Sequence, residues 1–420
     1  MNHLLHIVWR SAWNRRMTLG LTLVAIALSV AMLLGVERLR NEAHRGFSLS
    51  ISGTDLVVGA RTSPVQLILY AVFRIGEATS NIDWKSFQEI VDNPLIAWAV
   101  PISLGDSHHG FPVMGTTTTY FEHFNYSDSR QLSFIAGHPF QDIFDVVIGM
   151  DVASQLGYAI GDRIILSHGM GETGLLEHGD KPFIVSGILA PTGTPVDRTL
   201  HISLEGITAI HLDWVGGVPM HGFTIPGKHV RKFDLTPKDI TAVLIGLKTR
   251  AAVFKVQRQI NEYKAEPLLA VMPGVALEQL WQVVGVVEKT LLAISSMVVF
   301  IGLSGLAAVL LASINERRRE ISILRAVGAR RRDIFLLMVG ESLLVTLGGI
   351  MLGITLLLAA SLALEPWVQA SYGIALQPVL VSAAELKLLV GVLAVGLLAG
   401  LIPGYRAYKI SLVDGLMPRI

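Results

Sequence analysis

Between Glu316 and Asp333 the chain reads ERRREISILRAVGARRRD, with seven arginines set between two long apolar runs. An arginine at the centre of a bilayer costs about 3 kcal/mol even on insertion scales. The cluster therefore stays outside the hydrocarbon, and the runs on either side enter it as separate helices. Four runs qualify: residues 17–36, 290–314, 334–364 (interrupted only by Glu341) and 388–405. About 20 helical residues cross a hydrocarbon core of about 30 Å. Composition supports a membrane protein, because 51% of the chain is apolar and only 16% charged, against about 25% charge in soluble domains. The first run exceeds the apolar stretch of a signal peptide, about 7–15 residues, and no A-x-A site follows it, so it reads as an uncleaved anchor.

Charge sets the orientation. Residues 1–16, the 315–333 loop and the 406–420 tail hold the short-segment arginines, whereas the 365–387 loop has only Lys387. Basic short loops stay inside. Both termini are thus expected in the cytoplasm and residues 37–289 outside, although Arg38, Arg40 and Arg45 run against the rule. The net charge of +1 gives no support to nucleic-acid binding, and the absence of cysteine excludes disulfides and thiolate metal sites.

Residues 37–289 are far too many for a linker. Strand-like runs at Asp55–Val58, Asp145–Ile148, Arg163–Leu166, Phe183–Leu189 and Ala242–Leu247 mix with helical stretches at Trp84–Val91, Asp151–Leu156 and Ala251–Tyr263, which predicts an α+β domain. Its flanks, Glu37–Phe47 and Leu277–Lys289, continue the first and second spans as helices and would form a stalk.

Within the arginine-rich loop, Ile321, Leu324 and Val327 recur three apart, with Gly328 suited to end a helix. The spacing predicts an amphipathic helix able to dock into a partner. The stretch Glu316-Arg317-Arg318-Arg319-Glu320-Ile321-Ser322-Ile323-Leu324-Arg325-Ala326-Val327-Gly328-Ala329 closely resembles the cytoplasmic signature of FtsX/MacB-type ABC transporter permeases, a family that includes the lipoprotein-releasing permeases. Ser322 departs from its usual Gly or Ala. The tail Pro403-Gly404-Tyr405-Arg406-Ala407 through Asp414-Gly415-Leu416 resembles the family's closing motif. Val147-Ile148-Gly149 and Phe183–Leu189 are similar to its periplasmic core domain.

The resemblance implies a non-catalytic permease subunit in the bacterial inner membrane that pairs with a second copy, as homodimer or heterodimer. Cytoplasmic ABC ATPase subunits would bind it, with ATP and magnesium held on those partner chains and no cofactor here. Because the sequence starts at the first span, a separate ATPase chain is expected. Glu316, Arg317, Arg319, Glu320, Ile321, Leu324, Arg325 and Gly328 would make the ATPase-coupling site. ATPase motions would then pass to the outer domain for export or extraction, with an adaptor or substrate-binding protein as further partner. The alternatives are control of a cell-wall enzyme and metal-related transport.

Other motifs are weaker. Gly349, Gly353, Gly396, Gly400 and Gly404 give small-xxx-small faces for helix packing, within the chain or toward a second copy. Glu341 is assigned to structure or coupling rather than ion transport. Gly222–Lys228 has P-loop spacing, but His229 replaces the magnesium-binding hydroxyl and Pro226 lacks an amide. Gly169–Gly174 matches G-x-G-x-x-G with no helix after it and reads as a hairpin. Ten of thirteen histidines lie between His108 and His229, yet none has H-x-x-x-H spacing, so no metal ligand is assigned. Catalytic motifs are likewise missing from the sequence.

Overall fold

A computed structural model describes residues 16–50, 52–127, 130–169, 176–215, 218–220, 224–316, 318–372 and 381–409. The chain divides into two compact units, one holding the apolar helices and the other built mainly from Ala43–Val284.

Four helices among the described residues are long and apolar enough to cross a membrane: Met17–Glu42, Pro273–Ile314, Arg331–Glu365 and Ala383–Lys409. All four supply side chains to one buried cluster, including Ile26, Val30, Leu303, Leu306, Ile350 and Val392. The glycine faces are used inside this chain. A Cβ on Gly349 would stand 2.6 Å from Ile26, and one on Gly353 would stand 2.7 Å from the Ala27 carbonyl oxygen, so the third span packs directly on the first. A Cβ on Gly396 or Gly400 would lie 2.5–2.6 Å from Thr346 or Ser342, and Gly404 faces Phe335. There the Ser342 hydroxyl donates to the Gly396 carbonyl at 2.8 Å across the third and fourth spans. Glu341 is buried among these helices.

Two of the arginines that oppose the charge rule, Arg38 and Arg40, have carboxylate partners. Arg38 Nε lies 2.7 Å from Glu385, and Arg40 reaches Glu37 at 3.0 Å and Glu288 at 3.3 Å. Glu385 also accepts from the Ser382 amide while its own amide donates to Ser382 Oγ, a reciprocal cap on the fourth helix. Continuous helices run over Arg16–Leu49 and Pro273–Glu316. Where they leave the apolar stretch, His44 stacks on Trp281 with centroids 3.7 Å apart.

The second unit is built on a twelve-stranded sheet: β1 Leu56–Ala60, β2 Ile96–His108, β3 Phe111–Thr116, β4 Phe134–Gly137, β5 Asp145–Ile148, β6 Arg163–Ile164, β7 Ser167–His168, β8 Leu176–Glu177, β9 Phe183–Leu189, β10 Leu200–Ser203, β11 Ala242–Leu247 and β12 Leu268–Val271. The spine runs β12-β1-β11-β2-β3-β10-β5-β9-β4, with β7 paired to β2 and β8, and β6 to β9. Only β3/β10 and β5/β9 are parallel. β1 is buried at all five positions, as its unbroken LVVGA requires. Helices Trp84–Val91 and Val253–Asn261 lay Phe87, Ile90, Val256 and Ile260 on one buried cluster, matching their amphipathic spacing. All five sequence-predicted strands and all three predicted helices are present, with ends shifted by a few residues.

The thirteen-residue β2 ties the unit together. Its first half pairs with β11 and its second half with β3 and β7. Between Leu104 and Ser107 its register with β3 slips at Gly105, whose φ of +149° suits glycine. This bulge redirects Asp106. Residues 170–174 of the G-x-G-x-x-G stretch, and residues 222–223 of the P-loop-like one, lie outside the described residues; Gly227–Lys232 is a short 3-10 helix.

Candidate functional site

Two places gather chemistry. The first is the loop between the second and third spans, where Arg318–Ala326 forms a helix. Gly328, at φ +110°, ends it, and the amides of Gly328 and Ala329 donate to the Arg325 and Leu324 carbonyls. The side chains divide differently from the apolar stripe read in the sequence. Ile321 is only 2% exposed and packs with Ile314, Ile334, Leu337, Met338 and Ala407, and Leu324 leans on the same cluster. Ser322, the residue that departs from the signature, is buried too. Ile323 and Val327, one turn apart, are 51% and 84% exposed. Ile321 and Leu324 thus anchor the helix, and the apolar surface open to a partner is Ile323 and Val327, beside exposed Glu320. Arg325 is half-buried. Arg317 and the side chains of Glu316 and Arg319 lie outside the described residues.

The second place is in the sheet domain. Register puts His168 on β7 directly opposite the bulged Asp106 of β2. The Gly169 amide donates to the Gly105 carbonyl at 3.0 Å, and Ser107 Oγ donates to the Gly169 carbonyl at 2.5 Å, so the pairing is held on both sides. His211 caps the C-terminal end of helix Leu204–Ile210, which starts on Ser203 as N-cap. His178 is held by its amide donating to the Leu166 carbonyl at 2.8 Å.

Four donor atoms converge. His168 Nδ1 lies 2.9 Å from Asp106 Oδ1, His211 Nε2 3.1 Å from His168 Nδ1 and 3.5 Å from Asp106 Oδ1, and His178 Nε2 3.9 Å from Asp106 Oδ1. The Trp214 ring contacts all three imidazoles, closest to His178 at 4.4 Å between centroids. Burial opposes the charge on Asp106, but hydrogen bonds from His168 and His211 outweigh it and hold the carboxyl at about 2. Burial takes His178 down to about 4, whereas for His211 the bond to Asp106 overcomes burial and raises its value. Lys181, buried nearby, is neutralised by Asp213 at 2.8 and 3.0 Å and Asp180 at 3.0 Å. A cavity of about 270 Å³ opens against Asp106 and His168, lined also by Gly76, Leu104, Gly105 and Pro112.

The sequence could not assemble this cluster. Its members are separated by tens of residues and by strands of two residues, and the only advance sign was the crowding of histidine into one region.

Four apolar helices with a large α+β domain inserted after the first give the layout of an integral membrane protein. The chain matches the MacB-like periplasmic core domain over residues 19–263 and the FtsX-like permease C-terminal model over residues 292–412, and it belongs to this family of ABC transporter permeases. It is similar to the macrolide export ATP-binding/permease proteins MacB of Brucella abortus, 35% identical over 118 residues, and of Bdellovibrio bacteriovorus, 33% over 127 residues. These matches cover 28% and 30% of this chain but only 17% and 18% of those relatives. Among solved structures, the periplasmic region of MacB from Actinobacillus actinomycetemcomitans aligns over 55% of this chain and 94% of that one, at 10% identity and a TM-score of 0.33.

Proposed function

We propose that this chain is the membrane subunit of an ABC complex, driven by ATPase subunits on separate chains and paired with a second permease copy. The observation that carries the reading is the loop helix Arg318–Ala326. It is anchored inward by Ile321 and Leu324, offers Ile323 and Val327 outward, and lies inside the FtsX-like match. A short helix with an apolar pair outward and its anchor in the spans is a rigid lever for a docked partner. The basic short segments support a cytoplasmic position for this helix and both termini, with the sheet domain on the other side. ATPase closure would push the helix, the spans and the stalk helices, and so move the outer domain against its cargo. An adaptor or substrate-binding protein would meet that domain.

The test is co-purification of the full chain in detergent with P-loop ATPases of its own cell, comparing wild type with Ile323→Asp/Val327→Asp. Both positions are exposed, so the double variant should fold while losing most bound ATPase. Equal recovery from wild type and variant would remove this helix from the coupling path.

A further inference from the structure

We propose that Asp106, His168, His178 and His211 form a binding site for a divalent transition-metal ion, with zinc as the best fit. Three imidazoles and one carboxylate are a borderline donor set of the kind that selects zinc and its neighbours over calcium or magnesium.

The geometry is close to what the ion needs. A tetrahedral zinc with ligands about 2.05 Å away has ligand-to-ligand edges of about 3.3 Å. The four recorded separations, 2.9, 3.1, 3.5 and 3.9 Å, bracket that edge. All four ligand atoms lie within 4.8 Å of one another. A site this compact needs only small side-chain shifts to close on an ion.

Tautomers agree as well. His211 Nδ1 is 2.9 Å from the Ile207 carbonyl, which can only accept, so Nδ1 keeps its proton and Nε2, the nitrogen facing Asp106, is the one that would exchange its proton for the ion. A backbone carbonyl behind the ligating ring is the usual orienting arrangement for a metal-bound histidine. Gly105 and Ser107 hold the Asp106–His168 pair from behind, and Trp214 excludes water from one side. The cavity along Asp106 and His168 provides a route for the ion.

A plain hydrogen-bond network explains only part of this. Asp106, His168 and His211 satisfy one another, but His178 is 1% exposed and neither of its ring nitrogens has a hydrogen-bond partner. Buried polar atoms are rarely left so. An ion held by His178 Nε2 uses one of those nitrogens and accounts for a ring otherwise buried at a loss.

The proposal does not depend on ATPase coupling. Full-length protein in lipid nanodiscs, stripped with chelator, is titrated with Zn²⁺ by calorimetry and with Co²⁺ by visible absorption. One Zn²⁺ per chain and the intense ligand-field bands of four-coordinate Co²⁺ are expected. His178→Leu and His168→Gln should each weaken Zn²⁺ binding by about a hundredfold or more, since even outer-shell changes cost 10–100-fold; His138→Gln, at an exposed histidine outside the cluster, should leave it unchanged. His168 is partly exposed, so its variant should fold even if His178→Leu does not. Binding that survives both ligand changes, a six-coordinate Co²⁺ spectrum, or no binding above the level of the two variants would overturn the proposal.

Discussion

Replacing His201 with leucine should flatten the acid sensitivity of the sheet domain. His201 sits on β10, fully buried, with its ring against Tyr120 and Phe121 at 5.4 and 5.8 Å. Nδ1 lies 3.3 Å from the Val147 carbonyl, and Nε2 has no hydrogen-bond partner. Burial, then the positive charge of Arg74, pushes its pKa down to about 3. An unfolded histidine titrates near 6.5. Between these values the unfolded chain takes up a proton that the folded domain refuses, so stability falls as pH drops. It is fully present above about 6.5 and lost toward 3, at about 1.4 kcal/mol per unit. From pH 6.5 to 5 the loss is about 2 kcal/mol, a large share of a typical domain's stability of 5–15 kcal/mol. Hydrogen exchange of the full chain, followed on β10 and β5 amides and corrected for intrinsic rates, gives the opening free energy at each pH. Between pH 6.5 and 5 wild type should lose about 2 kcal/mol more than His201→Leu, whatever leucine does to the absolute value. Parallel slopes would mean that the folded domain accepts the proton, and the burial argument would fail.

Gly353→Leu should destabilise the protein in a detergent melt by the roughly 1–3 kcal/mol typical of overpacking, because its Cβ meets the Ala27 carbonyl oxygen and Val30. Gly305→Ala, with nothing within 4 Å, should be neutral in the same melt. Lys181→Met should destabilise the sheet domain by about 3–5 kcal/mol in a urea titration, since it strips Asp213 of its buried cation. Equal midpoints would show that water already solvates the pair. Glu385→Gln keeps the shape of the fourth-helix cap but removes the charge that pairs with Arg38, and should cost about 1–3 kcal/mol in the detergent melt; recovery of the loss in Arg38→Met/Glu385→Gln would confirm direct coupling.

Long-range periodicity was readable and long-range proximity was not. The spans and the strand at Phe183–Leu189 follow from apolar runs whose length and flanks leave few alternatives. The loop helix was readable as well, but its outward side was not: Ile321 and Leu324 are as apolar as Ile323 and Val327, and only packing against Ile334 and Met338 separates them. The histidines were invisible as a set because β7 is two residues long and Asp106 is aimed by a bulge at Gly105. Neither leaves a periodic trace.

The glycine faces have a consequence for assembly. With Gly349 and Gly353 filled by the first span and Gly396 and Gly400 by the third, these four close-approach positions are spent within one subunit. What the spans leave exposed, Val287, Ile294, Met297 and Phe300 on the second and Met351, Val390 and Leu398 on the third and fourth, are large side chains for which lipid tails are near-equal neighbours. Whatever covers those surfaces, lipid or protein, can be exchanged without disturbing the close packing inside the four-helix unit.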